Sequence, residues 1–279
     1  MDGKTDNRYG TADTFRFSTR DTVRYLECTA LGEYDWVTHA FCTRWGGTSE
    51  GALADLNFGT RSGDTEEHLL KNREILCSAF CMEEDRLITL DQAHGNNLLI
   101  VDEKTLDRRR GKTLEYDGII SALPGVPLGI KTADCVPVFL ADPEKRVIGA
   151  VHAGWKGASL GIVSRAADIF VSQFFSTPTD IMAVIGPSIG PCCYEVDEPV
   201  FRHFDDNREK ESFLTQSENE DKRMLDLPAA NRSQLLDAGI PPGNIFSADI
   251  CTSCNKNTFF SHRGEGGDTG RQMSFIMLR

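Results

Sequence analysis

Two short apolar runs separated by a polar link mark the centre of the sequence, at 136–140 (VPVFL) and 147–151 (VIGAV). Cys135 adjoins the first run and His152 adjoins the second. Runs of this length are too short for independent helices and are typical of buried strands. The link at 141–146 (ADPEKR) is polar and contains a proline, which predicts a turn that folds the second strand back beside the first. We therefore expect Cys135 and His152 to be neighbours.

The rest of the chain alternates strand-like runs with amphipathic helical segments. A helix is predicted at 65–80, because Thr65 is suited to an N-terminal cap and apolar residues recur at helical spacing. The same spacing predicts a helix at 158–175. The chain has 279 residues, of which 40% are hydrophobic, and this is sufficient for a sizeable core. We predict an α+β fold with a single domain over 13–279, preceded by a flexible N-terminus at 1–12.

Charge and hydropathy limit the classes of partner. The chain carries 30 lysines and arginines against 42 acidic residues, a formal net charge of −12. This charge argues against nucleic-acid binding, which requires clustered cations, although an acidic chain can still bind one small anion locally. No run approaches the roughly 18 to 20 apolar residues that span a bilayer. We therefore expect a cytoplasmic protein without a membrane segment, and the sequence does not predict its oligomeric state.

The nine cysteines are an odd number in a long chain without a secretory signal. Reduced thiols or metal ligands are therefore expected in place of a disulfide framework. Cys251 and Cys254 form a C-X-X-C half-site, and its partners would be Cys192 and Cys193. Because adjacent cysteines give poor chelate geometry, we expect that these four do not form a zinc cluster.

A metal site is predicted from His94, Cys135 and His152. Zinc accepts imidazole nitrogen and thiolate sulfur, and three protein ligands leave a fourth position for water or substrate, as in catalytic sites. A competing interpretation makes Cys135 the thiolate nucleophile and His152 its base, in a cysteine hydrolase. The metal interpretation is preferred because it also employs His94. A third interpretation is a metal-binding scaffold in which the same three residues are structural.

Several blocks of the sequence, taken together, resemble the laccase-domain, YfiH-like proteins. In chain order they are 42–51 (CTRWGGTSEG), Leu56–Asn57, 92–95 (QAHG), 132–137 (TADCVP), 151–157 (VHAGWKG), 185–195 (IGPSIGPCCYE), 260–263 (FSHR) and 269–271 (TGR). The resemblance spans most of the chain and implies a single domain of mixed β-sheets packed between α-helices. It also implies that His94, Cys135 and His152 hold a zinc ion. His262 stands where the resemblance implies a tyrosine, and it is assigned no role.

The resemblance implies purine nucleoside chemistry: phosphorolysis of adenosine, inosine and methylthioadenosine, with adenosine deamination as a second activity. The family has also been described as copper-dependent polyphenol oxidases and as peptidoglycan editing factors. A multicopper oxidase requires several copper centres with many histidines, and this chain has six histidines. We therefore consider a laccase-like oxidase, with copper in place of zinc, a weaker hypothesis than the phosphorylase. The cysteine hydrolase remains an alternative, with a peptidoglycan precursor as one substrate.

Phosphorolysis requires a site that holds phosphate and stabilises negative charge on the departing purine. Arg44 is the predicted phosphate ligand, because the two glycines that follow it allow the backbone to approach a ligand closely. Lys156 and the helix start beside it are expected to support the anion. Asp134, next to Cys135, is predicted to carry a proton or to orient a ligand. The alternative for Asp134 is a carboxylate that caps the local backbone.

Overall fold

The computed structural model describes residues 14–108, 115–205 and 207–279, so the flexible segment predicted at 1–12 lies outside the described residues. The strands are β1 (Phe15–Arg20), β2 (Val23–Cys28), β3 (Val37–Cys42), β4 (Ile88–Thr89), β5 (Leu98–Val101), β6 (Gly118–Ser121), β7 (Leu128–Thr132), β8 (Val136–Asp142), β9 (Val147–Ala153), β10 (Met182–Ile185), β11 (Glu195–Val196), β12 (Leu214–Gln216), β13 (Arg223–Leu225), β14 (Ile245–Ser247) and β15 (Gln272–Leu278). The α-helices are α1 (Thr29–Gly32), α2 (Glu66–Ala79), α3 (Glu103–Arg108), α4 (Trp155–Ser159), α5 (Ile162–Phe174), α6 (Glu198–Phe201) and α7 (Leu227–Asp237). Short 3-10 helices lie at Gly51–Leu53, Glu84–Arg86, Pro178–Asp180, Arg202–Phe204, Lys210–Ser212 and Pro242–Asn244.

The strands form two large sheets and one small sheet. The first has the order β1-β2-β3-β15-β7-β4, the second β14-β10-β8-β9-β6-β5, and the small sheet β11-β13-β12. Pairing in the large sheets is antiparallel except at the edges, where β4, β14 and β5 run parallel to their neighbours. The sheets are therefore mixed, as expected.

The two large sheets pack face to face between helices. Phe41 of β3 stacks on Phe139 of β8 across the interface, with ring centroids 4.4 Å apart. The outer face of the first sheet packs against α2, where Leu76 shares a buried cluster with Phe275 of β15. The outer face of the second sheet packs against α4, α5 and α7. This arrangement of helix, sheet, sheet and helix confirms the predicted α+β domain.

The central apolar runs form the predicted hairpin. β8 pairs antiparallel with β9, and Pro137 faces His152 in the register. Val138 points to the helix-side core and Phe139 to the core between the sheets, so both faces of the strand are buried. Burial on both faces explains why the runs are continuously apolar instead of alternating.

One of the two predicted helices is confirmed, and the other is divided into two helices. α2 confirms the predicted helix at 65–80, and the hydroxyl of Thr65 accepts the backbone N–H of His68 at 3.2 Å as an N-terminal cap. The helix predicted at 158–175 is instead two helices, α4 and α5. Gly161 separates them because its φ of 72° lies in the left-handed region and interrupts the helical path. No helix of the described chain is long and apolar enough to span a bilayer.

Candidate metal centre

Three potential metal ligands meet at one end of the central hairpin. Cys135 lies between β7 and β8, His152 lies near the end of β9, and His94 lies in the loop before β5. Their ligand atoms all lie within 4.8 Å of one another, and the two imidazole rings meet edge to face with centroids 4.9 Å apart. His152 is buried, whereas His94 is exposed, so the group is open to solvent on one side. The structure thus brings together the three residues that the sequence singled out.

Asp117 supports both histidines. Its Oδ1 lies 2.9 Å from Nδ1 of His152 and accepts the backbone N–H of His94 at the same distance. Its Oδ2 accepts the backbone N–H of Gly95 at 2.6 Å. Because Asp117 occupies Nδ1 of His152, Nε2 is the nitrogen left to bind a metal ion. The same arrangement occurs in metal sites where a carboxylate orients a ligand histidine. Sequence reasoning missed Asp117, and the only available signal was an acidic residue directly before the buried strand β6.

The surrounding charges favour the thiolate form of Cys135. Burial alone raises the pKa of this thiol, but the charge and hydrogen bond of His152, with a smaller effect of His94, lower it to about 6. Burial lowers the pKa of His152, whereas the Cys135 sulfur and Asp117 together raise it to about 9. The pair therefore favours thiolate and imidazolium in the absence of a cation. Thiolate is the form in which cysteine binds metal ions.

Gly154 leaves room for the ligand side chains. A Cβ at this position would lie 3.0 Å from Sγ of Cys135 and 3.1 Å from Cδ2 of His94. The φ of Gly154 is −71°, which any residue adopts, so close approach and not backbone conformation accounts for glycine here. The imidazole and thiolate donors, their spacing and the supporting carboxylate fit a tetrahedral metal site with one open position.

We expect Asp117→Asn to weaken metal binding by roughly 10- to 100-fold, the usual cost of losing an outer partner of a ligand histidine. The amide keeps the side chain's shape but removes the negative charge and one of the acceptors. Competition titration against a chromogenic chelator measures the affinity, and circular dichroism checks the fold. Asp35→Asn, at an exposed carboxylate before β3, is the matched control. Unchanged affinity in Asp117→Asn would mean that this carboxylate supports only the backbone of the His94 loop.

The three ligands line a cavity of about 460 Å³. This volume lies within the range of about 300–1,000 Å³ that is typical of small-molecule sites. The lining includes a cationic group, an aromatic and aliphatic group, the potential ligands, and polar residues such as Gln92 and Asp134. The cationic group is Arg61, Lys131, Arg263 and Arg271, and the aromatic and aliphatic group is Leu90, Trp155, Ile189, Tyr194 and Leu227. His262, to which the sequence assigned no role, also lines the cavity.

Arg271 and Lys131 are the partly buried cations of this cavity. Burial lowers the pKa of Arg271, and the nearby Cys135 and Asp134 raise it in part. Burial likewise lowers the pKa of Lys131. Gln92 holds the backbone of Lys131 through two hydrogen bonds, of 2.6 Å to its carbonyl oxygen and 2.8 Å from its N–H. These cations place positive charge on the cavity wall of an acidic protein.

Arg44 and Lys156 are not among the residues that line the cavity. The Arg44 guanidinium donates to the carbonyl oxygens of Ala54 at 2.7 Å and Lys256 at 2.8 Å, and it pairs with Glu265 at 2.9 Å. Arg44 therefore ties neighbouring loops together. Lys156 is exposed on α4 and lies over the ring of Trp155, 5.4 Å from its centroid. The phosphate-binding roles assigned to both from the sequence stay predictions.

Asp134 lines the cavity, but its carboxylate is occupied by three donors. Oδ1 accepts the hydroxyls of Thr252 at 2.6 Å and Ser261 at 2.7 Å, and Oδ2 accepts the backbone N–H of Arg263 at 2.6 Å. Its φ of 89° lies in the left-handed region, and these bonds help to hold that conformation. This geometry fits the alternative in which Asp134 fixes local structure and thereby the position of Cys135.

A second group of potential ligands is formed by Cys192, Cys193, Cys251 and Cys254, whose sulfurs also lie within 4.8 Å of one another. The sequence did not predict this proximity, and the expectation that the four cysteines do not form a zinc cluster stays a prediction. Adjacent cysteines are a poor bidentate chelate, but here they meet a pair from a distant segment. Within the described residues, neither group offers the many histidines of a multicopper centre, so a copper oxidase has no support from this geometry.

Residues 38–279 match the family described as multi-copper polyphenol oxidoreductase laccase. The chain is 36% identical over 246 residues to the purine nucleoside phosphorylase YlmD of Geobacillus stearothermophilus, covering 85% of this chain and 88% of that protein. It is 30% identical over 234 residues to the adenosine deaminase RL5 of an unknown prokaryotic organism, covering 81% and 87%. The crystal structure of the Bacillus licheniformis hypothetical protein YfiH superposes with a TM-score of 0.87 at 35% identity, covering 96% of this chain and 100% of that one.

Proposed function

Since the chain belongs to the multi-copper polyphenol oxidoreductase laccase family, we propose that it is a zinc-dependent purine nucleoside phosphorylase with adenosine deamination as a side activity. Its proposed substrates are phosphate with adenosine, inosine or methylthioadenosine. Relatives named purine nucleoside phosphorylase and adenosine deaminase support an enzyme of this kind. The observation that carries the proposal is a potential metal site and a set of cations on the wall of one nucleoside-sized cavity.

His94, Cys135 and His152 would hold the zinc ion, and their donor set fits this metal better than it fits magnesium or calcium, which prefer oxygen ligands. When bound, zinc supplies a positive charge at an open position, where it polarises a water or a substrate oxygen. Asp117 orients His152 through Nδ1 and fixes the loop that carries His94. The chain therefore provides both the ligands and the carboxylate that positions them.

Arg271 and Lys131 are the proposed phosphate ligands. A guanidinium binds phosphate oxygens through parallel N–H donors, and partial burial strengthens such bonds because less water competes for them. Phosphorolysis then joins a phosphate oxygen to the anomeric carbon of the ribose and breaks the bond from that carbon to the purine nitrogen. The electron pair of the broken bond stays on the purine, which takes up a proton on leaving. The cations hold phosphate close to the sugar, which lowers the entropic part of the barrier.

Trp155 and Tyr194 are the proposed contacts for the purine. Both line the cavity and are half-buried, and an aromatic face suits stacking against a purine ring. Burial and the nearby Cys135 raise the pKa of Tyr194, so its phenol stays protonated at neutral pH. A protonated phenol donates a hydrogen bond to the negative charge that develops on the departing base.

One observation favours a second candidate, a cysteine hydrolase. Asp117, His152 and Cys135 stand in the order of a carboxylate, a base and a nucleophile, and the pKa of the Cys135 thiol is lowered. A hydrolase of this kind acts without metal on an amide or ester, and a peptidoglycan precursor is one such substrate. We rank this candidate second because it gives His94 no role.

The experiment that tests the proposal is product analysis of metal-quantified protein incubated with adenosine, with and without phosphate. We expect adenine and ribose 1-phosphate only when phosphate is present, and a smaller amount of inosine in both conditions. Inosine alone would reassign the protein as a deaminase. Zinc-loaded protein that yields neither product overturns the nucleoside assignment, and amide or ester hydrolysis by metal-free protein would then establish the hydrolase.

A further inference from the structure

Four cysteines from two distant segments meet beside the cavity, outside the site already described. Cys192 and Cys193 follow β10 along the chain, whereas Cys251 and Cys254 follow β14. These two strands pair in parallel, so the segments leave the sheet at the same edge. A bridge between Ser188 and Cys251 extends the pairing beyond the strands. Topology therefore brings the two cysteine pairs together.

Two of the sulfur–sulfur distances are close to those of a tetrahedral tetrathiolate. Sγ of Cys254 lies 3.6 Å from that of Cys192 and 3.4 Å from that of Cys193. A Zn–S bond of about 2.3 Å places neighbouring sulfurs of a tetrahedron about 3.8 Å apart. All four cysteines are free, and the two distances far exceed the length of about 2.05 Å for a disulfide bond. In a polynuclear iron–sulfur cluster the thiolates bind different metal ions and therefore lie farther apart. The four sulfurs here all lie within 4.8 Å of one another, which argues against such a cluster.

The backbone around the sulfurs is arranged as it is around bound thiolates. The N–H of Gly190 donates to Sγ of Cys251 at 3.3 Å, and such bonds stabilise negative charge on sulfur. A Cβ at Gly190 would lie 3.3 Å from Cβ of Cys251 and 3.5 Å from Sγ of Cys192, so the turn packs closely on the ligands. Asn255 closes the second turn by donating to the carbonyl oxygen of Cys251 from its backbone at 3.1 Å and its side chain at 2.8 Å.

Ordinary burial does not account for this cluster. Cys28, Cys42 and Cys77 are buried among apolar residues, where cysteine acts as a small hydrophobe. Cys192 and Cys254 are exposed, so they gain little from packing. Four free thiols that converge at the surface, in contact but without a disulfide, form a set of donors that one ion could share.

We propose that Cys192, Cys193, Cys251 and Cys254 bind one zinc ion in a closed, structural site. All four positions of the ion are then filled by protein, which distinguishes the site from one that binds substrate. The ion would fasten the loop 186–194 to the segment 252–271, and this segment contains no helix or strand. Irregular segments of this length are uncommon in compact domains, and a shared ion is one way to hold such a segment in place.

Residues next to the clustered cysteines contact the cavity wall, so an ion at the cysteines would also hold that wall. Thr252 follows Cys251 and donates to Oδ1 of Asp134 at 2.6 Å, whereas the N–H of Ile189 donates to the carbonyl oxygen of Asp134 at 2.9 Å. Ile189, Tyr194 and Arg263 lie on the cavity wall. Zinc at the four cysteines would therefore hold in place the wall that faces Cys135.

The test is elemental analysis of three variants and wild type, purified without added metal. We expect Cys251→Ser/Cys254→Ser to contain one equivalent of zinc less than wild type. Cys135→Ala should also contain one equivalent less, because it removes a ligand of the other site. Cys81→Ser, at an exposed cysteine outside both groups, should keep the wild-type content. Equal zinc in wild type and the double variant overturns the proposal, and so does iron in place of zinc.

A second measurement does not depend on the folding of the double variant. Cobalt(II) loaded into Cys135→Ala should give the charge-transfer and visible absorption of a tetrahedral tetrathiolate. An added Cys254→Ser substitution should lower the charge-transfer intensity, because three of the four thiolates remain. A spectrum without thiolate charge transfer, or non-reducing mass spectrometry that finds Cys254 in a disulfide with Cys192 or Cys193, contradicts the site. These readouts are independent of nucleoside turnover, so the proposal stands or falls separately from the enzymatic one.

Discussion

Cys135→Ala should remove the metal from the cavity and abolish phosphate-dependent adenine release while leaving the fold intact. The side chain supplies the only thiolate of the three ligands, and two imidazoles alone hold zinc weakly. The loss should exceed the roughly 100-fold that removal of an outer partner costs. Because Cβ is retained and Sγ points to the other ligands, packing of the hairpin should change little.

The measurement pairs zinc content with initial rates on adenosine. Cys81→Ala is the matched control, since it removes an exposed thiol that belongs to neither ligand group. Activity that survives in Cys135→Ala with zinc still bound would show that this cysteine is neither ligand nor nucleophile. Loss of adenosine turnover with the wild-type zinc content would show that the sulfur acts in the reaction and is not a metal ligand.

Arg271→Met should lower kcat/KM for phosphorolysis by about 10²- to 10³-fold, the usual cost of removing a charged donor from a developing negative charge. The KM for phosphate should rise, because the methionine keeps much of the side-chain volume but none of the donors. The substitution also removes the donor to the carbonyl oxygens of Thr269 at 3.1 Å and Gly270 at 2.7 Å, whereas the bond from the Arg271 N–H to Asn57 at 2.8 Å does not involve the side chain. Steady-state rates over a series of phosphate concentrations provide the measurement.

Arg44→Met is the informative comparison, because the sequence favours Arg44 as the phosphate ligand. Its partners are the carbonyl oxygens of Ala54 and Lys256 and the carboxylate of Glu265. We expect a lower melting temperature, since these groups lose their donor, and an unchanged KM for phosphate in the folded protein. A raised phosphate KM in Arg44→Met, with wild-type behaviour in Arg271→Met, would reverse the two assignments.

Much of the centre of the fold was predictable from local sequence. The apolar runs flanking 141–146 predicted the hairpin of β8 and β9, and that hairpin alone makes Cys135 and His152 neighbours. The helix α2 follows from its cap at Thr65 and its apolar spacing. These features were accessible because they depend on residues a few positions apart, whose periodicity and turn chemistry are visible in the chain.

Other features depend on strands that are distant in sequence. Asp117 reaches His152 because β6 pairs with β9, and Arg271 reaches the cavity because β15 pairs with β7. The four clustered cysteines meet because β10 pairs with β14. Periodicity shows which face of a strand is buried but does not show which strand lies beside it. Sequence reasoning therefore assigned no role to Asp117 or Arg271 and did not show that the two cysteine pairs meet.

Arg44 shows the same limit for a loop. The glycines after it correctly indicate an irregular turn, yet the sequence does not reveal whether the guanidinium faces a ligand or the carbonyl oxygens of its own chain. Local residue types were enough to identify the α+β class, the central hairpin and the three potential ligands. The tertiary structure alone decided which carboxylate supports the histidines, which cations line the cavity and which thiols share a surface cluster. The reason is that these contacts join segments whose proximity arises only from non-local strand pairing.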